Sequence, residues 1–223
     1  MPSIRHPLAY TFGMKWILVL SALLAVAQPI QPEKERALGR GLADAMRREA
    51  GPADNPELAA FVQRVGQRLA GTAQYEFSLI GPNGASEPVG LPGQIILVPT
   101  SFFRQATDEA EFAAMVAHAM AHVTLRHGWA PPVYWSPHTM GPNAYREQAR
   151  RNELEADRHA VEITARAGYD AAALSTYLRR IKADPDRLAA LEQRTPPGGE
   201  LGGTEYLRLQ QIVGLPKPPT LKR

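Results

Sequence analysis

The sequence predicts an α+β domain, mostly helical, with a small sheet set beside a helix that carries two spaced histidines. Three observations lead there. Apolar residues recur at helical spacing over several capped segments; two adjoining segments alternate with a period of two instead; and no internal repeat points to a solenoid or propeller. At 223 residues with 44% hydrophobic content, the chain is long enough to bury one core and too short to imply two.

The first 27 residues read as an export signal. Arg5 and Lys15 supply positive charge, residues 16–26 form an apolar run, and Ala25-Val26-Ala27 offers a small-residue cleavage site. An uncleaved membrane anchor is the alternative, but a run of about 11 residues is short against the roughly 20 needed to cross a bilayer. Met14 is a second possible start and leaves this reading unchanged. The predicted organisation is a signal peptide over 1–27, one domain over 28–215, and a Pro-rich tail over 216–223. The expected location is outside the cytoplasm, periplasmic or secreted, with membrane contact only through an uncleaved signal.

Removing the signal lowers the 25 basic side chains by two, to 23 against 22 acidic ones, a net charge of +1. No Lys/Arg run interleaved with aromatics occurs, so nucleic acid is not an expected partner. Cysteine is absent. That excludes disulfides, thiolate metal ligands, a cysteine nucleophile and a lipid-modified cysteine together.

Residues 32–50 are polar and helix-favouring, and Gly51-Pro52 stops them. A second helix follows Asn55 as cap and Pro56 in the first turn, with Leu58, Phe61, Val62, Val65 and Leu69 on one face. The period then becomes two: residues 75–81 read as a strand, 82–86 as a turn, and 91–103 as a second strand bounded by Pro92-Gly93 and Pro99. Residues 89–98 offer either an exposed edge to which an extended chain adds or an interior strand. Asp108 with Glu111 three residues on opens the next helix as a capping box, and Gly128 closes it. Residues 129–142 lack any period and hold four prolines, which makes them a loop. A further helix spans about 143–167, Asp170 caps another, short helices cover 185–194 and 204–213, and the Gly-rich 195–203 separates those two flexibly.

The chemistry concentrates on "HAMAHVTLRHG". His118 and His122 lie one helical turn apart and so can aim at a common ion; two packed histidines fit the same spacing. On the later helix, Glu153 and Asp157 are also four apart, where a third ligand and a carboxylate orienting an imidazole would stand, or a solvated helix face. "HAMAHVTLRHG" with "ELEADRHAVEITARAGYD" and the preceding "LPGQIILVPTSFF" resembles the HtpX/CAAX-prenyl-protease type of zinc metallopeptidase, peptidase family M forty-eight, in its short periplasmic form.

That resemblance implies a zincin-like domain that holds one zinc through His118, His122 and Glu153, with Asp157 behind them, and acts on extended polypeptide. The chain departs from the family at two places. Ala119 stands where the family carries the glutamate that takes the water proton and passes it to the leaving amine. Glu87 stands near a usual asparagine. A positioned general base contributes about 100-fold to 10,000-fold, so hydrolysis by this chain is expected to be absent or very slow while zinc binding survives. A non-catalytic module that holds unfolded or envelope proteins is the alternative.

No other carboxylate replaces the base. Glu111 sits seven residues before His118, roughly 10 Å along the helix axis. His138 in the loop is a fourth-ligand or proton-carrier candidate, or an ordinary surface residue. Arg126 and His127 end the metal helix, where cations suit its dipole. Tyr134, Tyr145 and Tyr169 are candidate oxyanion donors or packed tyrosines.

Overall fold

The computed structural model describes residues 31–127, 141–192 and 198–213. The signal segment, the tail, and the candidates Tyr134 and His138 lie outside them.

Helix α1 (Pro32–Ala50) begins with Pro32 and carries Glu33 and Glu35 in its first turn, where carboxylates oppose the positive end of the dipole. Helix α2 (Pro56–Ala70) is capped by the Asn55 side chain, which accepts from the Glu57 and Leu58 amides at 3.1 Å each. Three strands follow: β1 (Glu76–Ile80), β2 (Val89–Leu91) and β3 (Ile95–Pro99). A 3-10 turn (Thr100–Arg104) leads into helix α3 (Glu109–Thr124), then α4 (Pro142–Arg166), α5 (Ala173–Arg180), α6 (Pro185–Glu192) and α7 (Thr204–Ile212).

The long strand expected over 91–103 is two strands and a turn. Gly93 (φ 74°) and Gln94 (φ 67°) adopt left-handed backbone, so the chain reverses after Pro92 and β2 pairs antiparallel with β3. Residues 100–104 then wind into the 3-10 turn, which buries Phe102 and Phe103. β1 pairs with β3 in parallel, giving the order β1-β3-β2. The interior alternative therefore holds for β3, while β2 is an edge.

Every residue of β3 is buried, because helices cover both faces. Ile96 and Val98 join the main core with α2 and α3, whereas Ile95 and Leu97 meet Ala43 and Ala50 of α1 on the other side. The period of two thus divides one strand between two clusters. The main core includes the rings of Phe61, Phe102, Phe103, Phe112 and Tyr206, with Phe103 and Phe112 centroids 4.8 Å apart.

Helix α3 has almost no wet face. It buries every residue except Glu109, His122 and Thr124, so it runs as a core helix that is apolar all round. Asp108 caps it, accepting from the Glu111 amide at 2.8 Å. The Glu111 carboxylate reaches back one residue further than a standard capping box, to the Thr107 amide at 2.9 Å, and pairs with Arg180. The 195–203 separator is also less free than predicted: Glu200 forms a bridge with Tyr169, and the Ala110 amide donates to the Leu201 carbonyl.

Three buried tyrosines give the fold an alkaline limit. Burial is the largest influence raising the pKa of Tyr169, Tyr177 and Tyr206 above the ordinary 10.0. Below pH 10 all three are neutral in both states and the stability is full. As pH rises further, the unfolded chain releases phenolic protons that the folded one keeps, and stability falls by about 1.4 kcal/mol per pH unit for each. Thermal melts from pH 9 to 11.5 should show this decline, and Tyr206→Phe should flatten it. At neutral pH the same change should cost only about 1 kcal/mol, because Gln210 also donates to the Phe103 and Ala106 carbonyls that Tyr206 serves.

Candidate metal centre

The two histidines of α3 face α4, the helix against which α3 is packed. The Nε2 atoms of His118 and His122 are 3.0 Å apart. Glu153 on α4 places Oε2 3.4 Å from His118 Nε2 and Oε1 3.5 Å from His122 Nε2. Three donors bound to one ion at 2.0–2.1 Å in a tetrahedral arrangement lie about 3.3 Å from one another. The nitrogen–nitrogen and nitrogen–oxygen distances are near that spacing, although the two histidines meet different oxygens of the Glu153 carboxylate; one donor atom from each residue can be chosen with all three within 4.8 Å of one another, and two imidazoles with one carboxylate are a standard donor set for a divalent ion such as zinc. The residues present therefore fit a metal.

Asp157, one turn after Glu153, is 1% exposed and sits with Oδ1 3.0 Å from His118 Nδ1. The approach is oblique, so Nδ1 has no aligned hydrogen bond, but no other partner is near it. Arg187 of α6 holds this carboxylate in a bidentate grip, Nε to Oδ2 at 2.7 Å and Nη2 to Oδ1 at 2.6 Å, and its Nη1 reaches Glu153 Oε2 at 3.1 Å. One guanidinium thus braces both carboxylates.

The electrostatics follow from burial opposed by pairing. Burial is the strongest influence on His118 and disfavours its charge, yet Asp157 and Glu153 outweigh it and its pKa is raised. His122 goes the other way: burial, and then the charge of His118, lower it to about 4. Burial also works against ionisation of Glu153 and Asp157, but His118 and Arg187 overcome it and hold both below the usual carboxylate range. At neutral pH the centre offers ionised carboxylates and a neutral His122, the forms a metal ion needs.

Ala119 is 3% exposed and belongs to the main core. Strand β2 lies against it: a Cβ on Gly90 would come within 2.3 Å of the Ala119 carbonyl oxygen, so only glycine allows this approach. The edge strand accordingly runs beside the turn of α3 that carries the two histidines.

The structure sorts the remaining candidates. His127 does not act as a bare helix-end cation; its ring meets His122, with the two Nδ1 atoms 3.2 Å apart. Arg126 pairs with Glu35 of α1 at 2.8 Å. The Tyr169 hydroxyl donates to Glu109 at 2.7 Å and its ring lies under Arg68, which is the packed alternative. Tyr145 is 38% exposed in the first turn of α4. Glu87 accepts from the Tyr177 hydroxyl at 2.8 Å. Glu111 meets Thr107 and Arg180 through Oε2, at the far end of α3 from His122. Sequence reasoning missed Arg187 and the role of His127. Arg187 carries no spacing signal, being 30 residues from Asp157; His127 was visible only as a third histidine five positions past His122.

No family model matches the chain. Curated proteins do. The chain is 26% identical over 190 residues to the beta-barrel assembly-enhancing protease of Yersinia pestis, an alignment covering 70% of this chain and 39% of that protein. It is 25% identical over 163 residues to the protein of the same name from Escherichia coli (strain K12), covering 57% and 33%. A putative beta-barrel assembly-enhancing protease of Vibrio cholerae is 26% identical over 179 residues, covering 65% and 36%. The chain therefore spans well under half the length of these relatives. The fold and site define a mostly helical α+β domain with a cluster able to hold a metal, and the similarity supports a distant M-forty-eight-like relationship, that of a protease-family domain.

Replacing Arg187 tests how far the centre depends on its brace. Arg187→Met should destabilise the protein by about 3 kcal/mol in urea unfolding, since it leaves Asp157 charged, buried and without its strongest partner.

Proposed function

We propose that this chain is a zinc-binding domain of the metallopeptidase type its motifs resemble, the HtpX/CAAX type of peptidase family M forty-eight, exported to the cell envelope and disarmed at Ala119. The observation that carries this reading is the convergence of His118, His122 and Glu153, whose donor atoms lie within 4.8 Å of one another. The relatives' name as proteases supports the reaction class. Among the described residues no helix is long and apolar enough to cross a membrane, which is compatible with export of the folded part.

When bound at these three residues, the ion would supply the Lewis acidity that activates water and polarises a carbonyl. The chain's own residues do the rest. Asp157 and Arg187 keep His118 and Glu153 in place. The outer edge of β2, beside Ala119, aligns an extended polypeptide by adding it as a strand. Position 119 ends at a methyl group, which cannot take the water proton and return it to the leaving amine. Hydrolysis is then slow or absent while binding persists. The relatives' name points to β-barrel proteins awaiting assembly as the extended clients.

The same observation at Ala119 favours a second reading, a module that grips such clients without cutting them. One pair of measurements separates the two. Elemental analysis of protein from residue 28 onward should find one zinc per chain, removable by chelator. Ala119→Glu should raise cleavage of an unstructured protein about 100-fold to 10,000-fold, in a chelator-sensitive manner. It should also lower stability by about 1–3 kcal/mol through burial of a carboxylate. A silent Ala119→Glu protein with full zinc favours the module; absence of zinc removes the metal centre.

A further inference from the structure

His118 and His122 need opposite ends of their rings for two jobs. If Nε2 of each is to face an ion, each Nδ1 must carry the proton and find an acceptor that keeps the ring from turning. For His118 the acceptor nearby is Asp157. Among the described residues, no carboxylate is seen against Nδ1 of His122. What stands there is another imidazole, that of His127.

The backbone explains why His127 is there. Helix α3 ends in a Schellman turn: Arg126 adopts φ 57°, its amide bonds the Val123 carbonyl at 3.1 Å, and the His127 amide bonds the His122 carbonyl at 2.9 Å. This motif brings the residue just past the left-handed position against the residue five before it. The contact is commonly apolar; here it joins two imidazoles, with ring centroids 5.1 Å apart and nearly perpendicular. The His127 side chain is 9% exposed, so water competes little for its Nδ1. Its other nitrogen, Nε2, lies 3.3 Å from Glu155 Oε2 on α4.

The proton positions are then constrained. A carboxylate accepts hydrogen bonds and does not donate them, so Glu155 calls for a proton on His127 Nε2. A neutral His127 protonated there has a bare Nδ1, which can only accept. Its partner, His122 Nδ1, must supply the hydrogen, and His122 Nε2 is left as a lone pair directed toward His118 and Glu153. We propose that His127, oriented by Glu155, is a positioning residue that fixes the His122 tautomer needed for metal binding. The reverse arrangement, with His127 Nδ1 as donor, would move the His122 proton onto Nε2 and block it as a ligand.

The purpose of this relay rests on the zinc-binding reading above, but the relay itself is measurable without metal. Long-range proton–nitrogen NMR of the histidine rings in the chelator-treated protein should show His122 protonated at Nδ1 and bare at Nε2. His127→Phe keeps an aromatic ring in the turn and removes the acceptor. It should abolish that preference and weaken zinc binding, read by competition with a chromophoric chelator, about 10-fold to 100-fold. His127→Gln, which retains an acceptor oxygen, should recover most of the affinity. Glu155 is half exposed, so Glu155→Ala leaves the fold intact and should give an intermediate loss. A His122 tautomer unchanged in His127→Phe, or zinc affinity within 2-fold of the parent in both His127→Phe and Glu155→Ala, overturns the proposal. A parent that shows the tautomer but takes up no zinc overturns the metal-centre reading alone.

Discussion

The burial of α3 is the constraint on which the rest of the structure depends. A helix that is apolar on nearly every side has to be enclosed, and here β2 and β3, α2, α4 and α5 enclose it. Burial on that scale would strand polar side chains, and α3 carries two imidazoles, His118 and His122, on the side facing α4. The neighbouring helix must supply their partners. It does so with Glu153 and Asp157, one turn apart, and the cost of placing Asp157 at 1% exposure is offset by a bidentate guanidinium from α6. The centre and the packing of three helices are one arrangement.

Each imidazole is held by a different device. His118 has a buried carboxylate behind it, itself clamped by Arg187, and its affinity for a proton rises accordingly. His122 has the His127 ring behind it, supplied by the turn that ends its own helix, and burial, then the charge of His118, lower its pKa to about 4. Two chemically identical side chains four residues apart are therefore tuned in opposite directions. For a metal centre the asymmetry leaves at least one nitrogen lone pair available over the whole neutral range.

In the proposed reading, Ala119 is where binding and hydrolysis part. Its methyl group belongs to the core, and its carbonyl is approached by Gly90 of the edge strand, so the position is structurally settled without a carboxylate. Nothing in the ligand geometry depends on it. The His118, His122 and Glu153 cluster, its supports and the adjacent strand edge are all built from other residues. Similarity to the beta-barrel assembly-enhancing proteases covers 57% to 70% of the chain but only 33% to 39% of theirs, so it speaks to this domain and its reaction class.

Local signals made much of this legible in the sequence. Asn55, Asp108 and the proline-opened helices appeared where their caps predict, because a cap needs only its own next few residues. The four-residue spacings of His118 with His122 and of Glu153 with Asp157 likewise followed from the pitch of a helix. Contacts between distant segments escaped it. Whether residues 91–103 formed one strand or two depended on left-handed backbone at Gly93 and Gln94 and on pairing with β1. The enclosure of α3 escaped it too, because apolar spacing marks one face and burial on all sides is decided by neighbours. Arg187 entered the site only through the meeting of α3, α4 and α6, and the His127 ring through the turn that ends α3. Sequence alone determined which residue types could bind a metal and that position 119 is alanine; only tertiary structure decided that His118, His122 and Glu153 converge and how each ring is turned, since those contacts depend on how helices meet and on the backbone of one turn.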